Sequence, residues 1–287
     1  MFSNYNGTLH SQESGFIKGN NRSFMYGDGL FESIRIRHGK PMFLDAHIAR
    51  LLDAAIALKM QVPDTLNLDH FRKEIGELIS KNNIQQGGKC RLTLFRNTGG
   101  TYTPDDNGVG YIIEAYHYTN NDYTLNEEGF SVELYPEMRK PVNKLAIYKT
   151  CNSLLYIMAG IYARQNKYDD TLIVNDKGNI IESSNSNLFI ICNGVLYTPA
   201  LSDGCLAGVM RMQIINIALA NKLKVYECSL NPQNLLVADE VFLSNAVRGL
   251  QWVASYKMKR YYNKLTKELL QKLNEVTNQQ AGVVNSF

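Results

Sequence analysis

The sequence predicts an α+β fold in two domains, and three observations carry that expectation. Segments that alternate apolar and polar residues are interspersed with segments whose apolar residues recur at helical spacing, in no regular βαβ rhythm. The 287 residues suffice for two modest cores. A polar stretch without periodicity, TNNDYTLNEE at 119–128, interrupts the pattern. The expected organisation is therefore one domain over 1–118, a linker over 119–128 and a second domain over 129–287.

From the N-terminus, the alternation in LFESIRI predicts a strand over 29–36, and His38-Gly39-Lys40-Pro41 a hairpin turn. Asp45 stands where an N-cap is expected, ahead of a helix over 47–60 with apolar residues at Ile48, Leu51, Leu52, Ala55 and Leu58. A second helix is predicted over 68–81, and strands over 90–96 and 110–118. Past the linker, strands are expected over 130–135, 171–174, 188–192, 195–197, 224–228 and 240–244. Helices are expected over 153–166, 206–221 and 265–277.

Composition excludes several functions. Hydrophobic residues make up 45% and charged residues 20%, an ordinary globular balance. A net charge of +3, with Lys and Arg scattered among Asp and Glu, gives no basic face for nucleic acid. The five cysteines are odd in number, and no CxxC pair occurs, which argues against zinc and a disulfide framework. The first twenty residues are polar, unlike a signal peptide, and no apolar run approaches bilayer-spanning length. A reducing cytoplasm is the expected location, and metal, membrane and nucleic acid are not expected partners.

Singly, the polar signals are ordinary: a lysine before a helix, a Gly-Asp-Gly turn, an acidic pair before a strand. Together and in order they form a set. The strings are YGDGLFESIRI (26–36), FLDAHIARL (43–51), YKTCN (148–152), IIESSNSNLF (180–189), LAGVMR (206–211) and ADEVFLSNA (238–246). On these the chain resembles, from about 26 to 253, the class IV (fold type IV) pyridoxal-phosphate enzymes: branched-chain and D-amino-acid aminotransferases and 4-amino-4-deoxychorismate lyase.

That resemblance implies pyridoxal 5'-phosphate as cofactor, a small N-terminal α+β domain, and a larger C-terminal domain with a barrel-like sheet. The family places the cofactor in the cleft between domains and forms homodimers in which loops of one subunit close the site of the other. Lys149 occupies the Schiff-base position and, once displaced by substrate, is the base that moves the α-proton. Glu182 matches the carboxylate that keeps the pyridine nitrogen protonated, among the small polar residues Ser183 to Ser186. Asn187, in the same string, is taken as cofactor-binding. Arg50 matches the phosphate arginine, with His47 one turn earlier in support. Gly208, Val209 and Met210 open a helix whose amides face the phosphate, and Ser244, Asn245 and Ala246 match the other phosphate-side loop.

For the substrate, Tyr26, Arg96 and Tyr102 are candidates to orient the carboxylate, and Arg248 to supply a further cation. Two reactions share this apparatus. An aminotransferase returns the amino group to a 2-oxo acid; the lyase eliminates pyruvate and releases 4-aminobenzoate. Asn152, three residues after the lysine, and the strings AGVMR and Asn245-Ala246 lean towards the lyase. Thr101, where lyases often carry arginine, leans the other way. The aminotransferase is placed ahead, the lyase second, and a non-catalytic cofactor-binding relative third.

Overall fold

The computed structural model describes residues 1–118 and 120–283. Thr119, the first residue of the expected linker, and 284–287, at the end of the expected second domain, lie outside the described residues. The chain packs as two units. The first comprises Met1–Asp122, Tyr148–Asn152 and the chain from Thr277; the second comprises Tyr123–Ile147 and Ser153–Val276. A division at one linker does not express the two returns to the first unit. Backbone pairing and helix-end contacts hold them there, and hydropathy reveals neither.

In the first unit the elements run β1 (Phe2–Tyr5), β2 (Thr8–Ser11), α1 (Arg22–Tyr26), β3 (Gly29–Arg37), β4 (Lys40–Pro41), α2 (Leu44–Ala57), α3 (Leu68–Lys81), β5 (Gly88–Arg96) and β6 (Val109–His117). The strands form one antiparallel sheet in the order β2-β1-β6-β5-β3-β4. Period-2 alternation puts Leu30, Ile34 and Ile36 of β3 and Cys90, Leu92 and Leu94 of β5 into one core. That core also takes Ile48, Leu51 and Ala55 of α2 and Phe71, Ile75 and Leu78 of α3. The expected turn after β3 is present, with His38 and Gly39 both at positive φ, as a tight two-residue hairpin requires.

Asp45 is not the N-cap of α2. The capping position is Phe43, left-handed at φ 53° and without a side-chain cap, because β4 runs almost directly into the helix; Asp45 lies in the first turn, where its charge complements the helix dipole. Phe43 donates its N–H to Gln280 Oε1 at 3.1 Å. β1, β2 and α1 were not expected, being polar and short.

The second unit continues with β7 (Phe130–Leu134), α4 (Leu154–Gln165), β8 (Asp170–Val174), β9 (Ile180–Ser183), β10 (Asn187–Cys192), β11 (Val195–Pro199), α5 (Val209–Ala220), β12 (Val225–Cys228), α6 (Pro232–Val237), β13 (Glu240–Asn245), β14 (Gly249–Tyr256), β15 (Lys259–Arg260) and α7 (Lys264–Ala281). Strands β10-β13-β14-β7-β8-β9 are neighbours in that order, and β9 returns to β10 through the pair Glu182↔Asn187. The sheet is thus closed into a six-stranded ring, with β11 and β12 extending from β10 beyond the closure. Val132, Leu172, Ile180, Leu188, Ile190, Val241, Leu243 and Val253 pack together, while Ile173, Ile181 and Tyr135 pack with Ala159 of α4.

The helix expected over 206–221 begins only at Val209, because Gly208, its N-cap, is extended and donates its N–H back to the Leu206 carbonyl at 2.8 Å. Glu240, read as strand punctuation, accepts the N–H groups of Leu265 (2.8 Å) and Thr266 (2.9 Å) and so caps α7. β9, β14 and α6 were not anticipated. Among the described residues no helix is long and apolar enough to cross a membrane, and no group of three or more His, Cys, Asp or Glu is placed to hold a metal.

Two glycines test this packing in opposite directions. Gly76, inside α3, has open space around an added Cβ, so Gly76→Ala should stabilise the chain by about 0.5–1 kcal/mol. Gly249 sits at φ 74°, and an added Cβ would lie 2.6 Å from the Tyr123 ring; Gly249→Ala should destabilise it by about 1–3 kcal/mol. Urea midpoints displaced in the same direction by both substitutions would contradict the assignment.

Candidate active site

In the first unit, residues Tyr148–Asn152 add an extended segment to the edge of β3 not used by β5. Thr150 bridges Leu30, the Phe31 N–H donates to the Lys149 carbonyl at 3.0 Å, and the Cys151 N–H donates to the Gly29 carbonyl at 2.8 Å. This register sets Lys149 opposite Phe31, and its Nζ lies 4.4 Å from the Phe31 ring centroid. The Gly-Asp-Gly string makes the approach feasible. Gly27 closes α1 at φ 69°, and a Cβ on Gly29 would press to 2.8 Å from Ser23 Oγ and 3.2 Å from Cys151 Sγ.

Arg50 meets Glu32 rather than standing alone. Its Nε donates to Glu32 Oε1 at 2.8 Å and its terminal nitrogen to Oε2, while His47 Nδ1 lies 2.6 Å from Oε2. Burial alone would raise the Glu32 carboxyl, but Arg50 and His47 outweigh it and hold the pKa at about 2. His47 is driven below its ordinary range, first by burial and further by the charges of Arg50 and Lys149, against the pull of Glu32. Its other nitrogen, Nε2, is buried without a hydrogen-bond partner among the described residues.

The substrate candidates divide. Tyr26 and Tyr102 stand together, ring centroids 5.6 Å apart, with Tyr102 89% exposed. Arg96 does not join them. It is buried, and its fork donates to Asp28 Oδ2 (2.9 Å), Asn107 Oδ1 (2.7 Å) and the Leu58 carbonyl (2.9 Å), which makes it a structural tie rather than a free carboxylate ligand. Arg22 Nε donates to the same Asp28 oxygen at 2.9 Å and its terminal nitrogen to the carbonyls of Gly99 and Thr101, anchoring the loop that carries Tyr102. Burial works against the Asp28 carboxylate, yet the two guanidiniums hold it below its usual range.

In the second unit, Glu182 is buried at the ring closure. Its Oε1 accepts from Lys140 Nζ (2.7 Å) and the Tyr156 hydroxyl (2.8 Å), and its Oε2 from the Leu206 N–H (2.9 Å). Asn187 donates to the Ser244 carbonyl (2.7 Å) and hydroxyl (3.1 Å), and its side chain fills the space that a Cβ on Gly208 would need. Gly208 precedes α5 without any side-chain cap, and no acidic residue occupies the first turn. The leading amides, at Val209 and Met210 among them, therefore have no side-chain cap. Asn245 Oδ1 accepts from the N–H groups of Val247 and Arg248, and Ala246 offers its carbonyl to the Tyr123 hydroxyl; both shape the β13–β14 turn. Arg248 is exposed on that turn.

Taken unit by unit, the residues fit pyridoxal phosphate chemically: the first unit holds a primary amine and a guanidinium, the second a buried carboxylate and an uncapped helix start. Sequence reasoning missed Lys140 and Tyr156, which no spacing marks. It also missed Glu32 as the partner of Arg50, although a charge in the row Leu30-x-Glu32-x-Ile34 is a legible anomaly. Arg91, whose guanidinium carbon lies 3.9 Å from the Phe31 centroid, was likewise unmarked.

Comparison with known proteins gives a consistent family. The model "Amino-transferase class IV" matches residues 29–256. A putative branched-chain-amino-acid aminotransferase of Methanocaldococcus jannaschii is 28% identical, over 94% of this chain and 93% of that protein. The aminodeoxychorismate lyase of Vibrio harveyi is 25% identical, over 88% and 94%. The branched-chain aminotransferase structure from Thermoproteus uzoniensis superposes with a TM-score of 0.89 at 24% identity, covering 99% of this chain and 96% of that one. The fold is that of the fold type IV enzymes, and the chain belongs to the class IV aminotransferase family, a group of pyridoxal-phosphate-dependent enzymes.

Proposed function

We propose that the protein transfers an amino group between an amino acid and a 2-oxo acid, with Lys149 as covalent anchor and proton carrier. The observation that carries this reading is the half-buried Lys149, fixed by backbone pairing to β3 in the unit that also holds the Glu32–His47–Arg50 cluster. When bound, pyridoxal phosphate supplies an electron sink for the α-carbon. Lys149 Nζ then moves the α-proton. Glu182 would hold the ring nitrogen, and Arg50 in the first unit and the α5 amides at Val209 and Met210 in the second are the groups that would hold the phosphate. Gly208 and Asn187 hold that helix start in place, while Ser244 and Asn245 support the neighbouring turn. Tyr26 and Tyr102 offer the substrate an aromatic wall. Arg96, engaged by Asp28, positions the loop instead.

A homodimer fits the exposed apolar stripe on α4, where Leu154, Ile157, Met158 and Ile161 recur at helical spacing. A cytoplasmic location fits five cysteines that are all free.

Lys149→Ala should abolish the adduct that borohydride fixes between cofactor and protein, and lower turnover more than about a hundredfold. A fixed adduct surviving on the variant would sink the anchor assignment. Arg50→Met should weaken cofactor binding by roughly 10- to 100-fold, as expected for a charge-assisted contact. Equilibrium dialysis of the reduced-affinity variant, with a melting curve for the loss of the Glu32 partner, reads both effects. The reaction is tested with a panel of L- and D-amino acids plus 2-oxoglutarate, against aminodeoxychorismate. Pyruvate and 4-aminobenzoate from the second, with silence in the first, would replace the aminotransferase reading with the lyase.

A further inference from the structure

Lys140 belongs to none of the strings that mark the family, yet it is buried in the second unit. Its backbone is bridged to Asn175: the Lys140 N–H donates to the Val174 carbonyl at 2.9 Å, and the Asp176 N–H to the Lys140 carbonyl. Its ammonium is buried and donates to Glu182 Oε1 at 2.7 Å and to the Ala146 carbonyl at 2.8 Å. Burying a lysine is unfavourable unless its charge is answered, and Glu182 answers it here.

The count of lone pairs on Glu182 is informative. An ionised carboxylate offers about four acceptor positions, two on each oxygen. Lys140 and Tyr156 take both positions on Oε1, and the Leu206 N–H takes one on Oε2. Among the described residues one position is left, on Oε2. Two titratable groups that feel Glu182, Tyr156 and Cys205, add no charge, while Arg211 and Asp203 act on the same Cys205. Burial and the adjacent Glu182 raise the Tyr156 phenol far above its ordinary range, and burial pushes the Cys205 thiol up to about 11.

We propose that Lys140, assisted by Tyr156, is a positioning residue that decides where the proton shared by Glu182 and the cofactor's ring nitrogen resides. This rests on the reading that Glu182 faces that nitrogen. The Lys140 ammonium touches the carboxylate oxygen directly, at 2.7 Å, so its charge would favour an ionised carboxylate and leave the shared proton to the ring nitrogen. The proton stays on nitrogen, and the oxygen remains an acceptor. Without Lys140, a buried carboxylate facing a protonated ring relaxes to the neutral pair: the N–H bond breaks, an O–H bond forms on Oε2, and no charge is left in the interior. Tyr156 fixes the carboxylate plane, so its loss weakens the same preference without removing a charge.

The test is the nitrogen resonance of holoenzyme loaded with ring-15N pyridoxal phosphate at neutral pH. Wild type should show a protonated nitrogen and Glu182→Gln an unprotonated one. Lys140→Met should move the resonance most of the way towards the neutral form, Lys140→Arg should restore it, and Tyr156→Phe should move it less, in the same direction. If Lys140→Met fails to fold, Lys140→Arg and Tyr156→Phe carry the comparison. A resonance unmoved in the Lys140 and Tyr156 variants, with a normal response to Glu182→Gln, overturns the role of Lys140 alone. A wild-type nitrogen that is unprotonated, or one indifferent to Glu182→Gln, overturns the Glu182 reading and this proposal with it.

Discussion

The backbone pairing of Glu182 with Asn187 closes the ring of strands in the second unit, and most of the polar architecture there follows from it. The turn between the two residues is only Ser183 to Ser186, tied by the Ser183 N–H to the Ser186 carbonyl at 2.7 Å. Asp170 on β8 accepts from Ser183 Oγ at 2.7 Å and from the Ser184 N–H at 3.2 Å, so the preceding strand holds the turn from outside. Closure fixes two side chains at once. Glu182 is presented to Lys140, Tyr156 and Leu206, and Asn187 is lodged between Ser244 and Gly208. Residues far apart in sequence thereby share one rigid junction.

The first unit shows a complementary constraint. Glu32 occupies a position that period-2 alternation reserves for an apolar side chain, between Leu30 and Ile34. A lone carboxylate there would be unfavourable by several kcal/mol, on the order of 3–5 when a buried partner is removed. Arg50 and His47, one turn apart on α2, offset that penalty and in doing so lock α2 against β3. The register of α2 and the orientation of its guanidinium are therefore one constraint. Lys149 enters the same neighbourhood from the opposite edge of β3, and its charge is felt at His47.

The legible part of this protein was what periodicity and ordered strings encode. β3, α3 and β5 stand close to where alternation and helical spacing place them, and the ordered strings mark the family to which the chain belongs. What was not legible depends on contacts between distant segments. The pairing of Tyr148–Asn152 with β3 assigns Lys149 to the first unit, although its neighbours in sequence lie in the second. Phe43 displaces Asp45 as helix cap because a hairpin leads straight into α2. Arg96 looked like a substrate ligand by its place in a glycine-rich loop, but Asp28, 68 residues away, engages it. Lys140 carries no local signal, since its importance derives from Glu182, 42 residues on.

The two chemistries of this family make similar demands on the cofactor side: an amine, an acid for the ring nitrogen and a cradle for phosphate. They diverge in the substrate, because a dicarboxylate such as aminodeoxychorismate requires cations that an apolar amino acid does not. With Arg96 fixed to Asp28, Leu58 and Asn107, one cation is withdrawn from that role. The remaining neighbours, Tyr26 beside Tyr102 and Phe31 beside Lys149, present π faces, which accept apolar side chains readily and a second carboxylate poorly. Arg91 lies against the same Phe31 ring, as Arg22 lies against Tyr26. With guanidiniums stacked on both Tyr26 and Phe31, this aromatic wall suits apolar and acidic side chains in turn, and the withdrawal of Arg96 from carboxylate binding is the physical ground for preferring amino transfer.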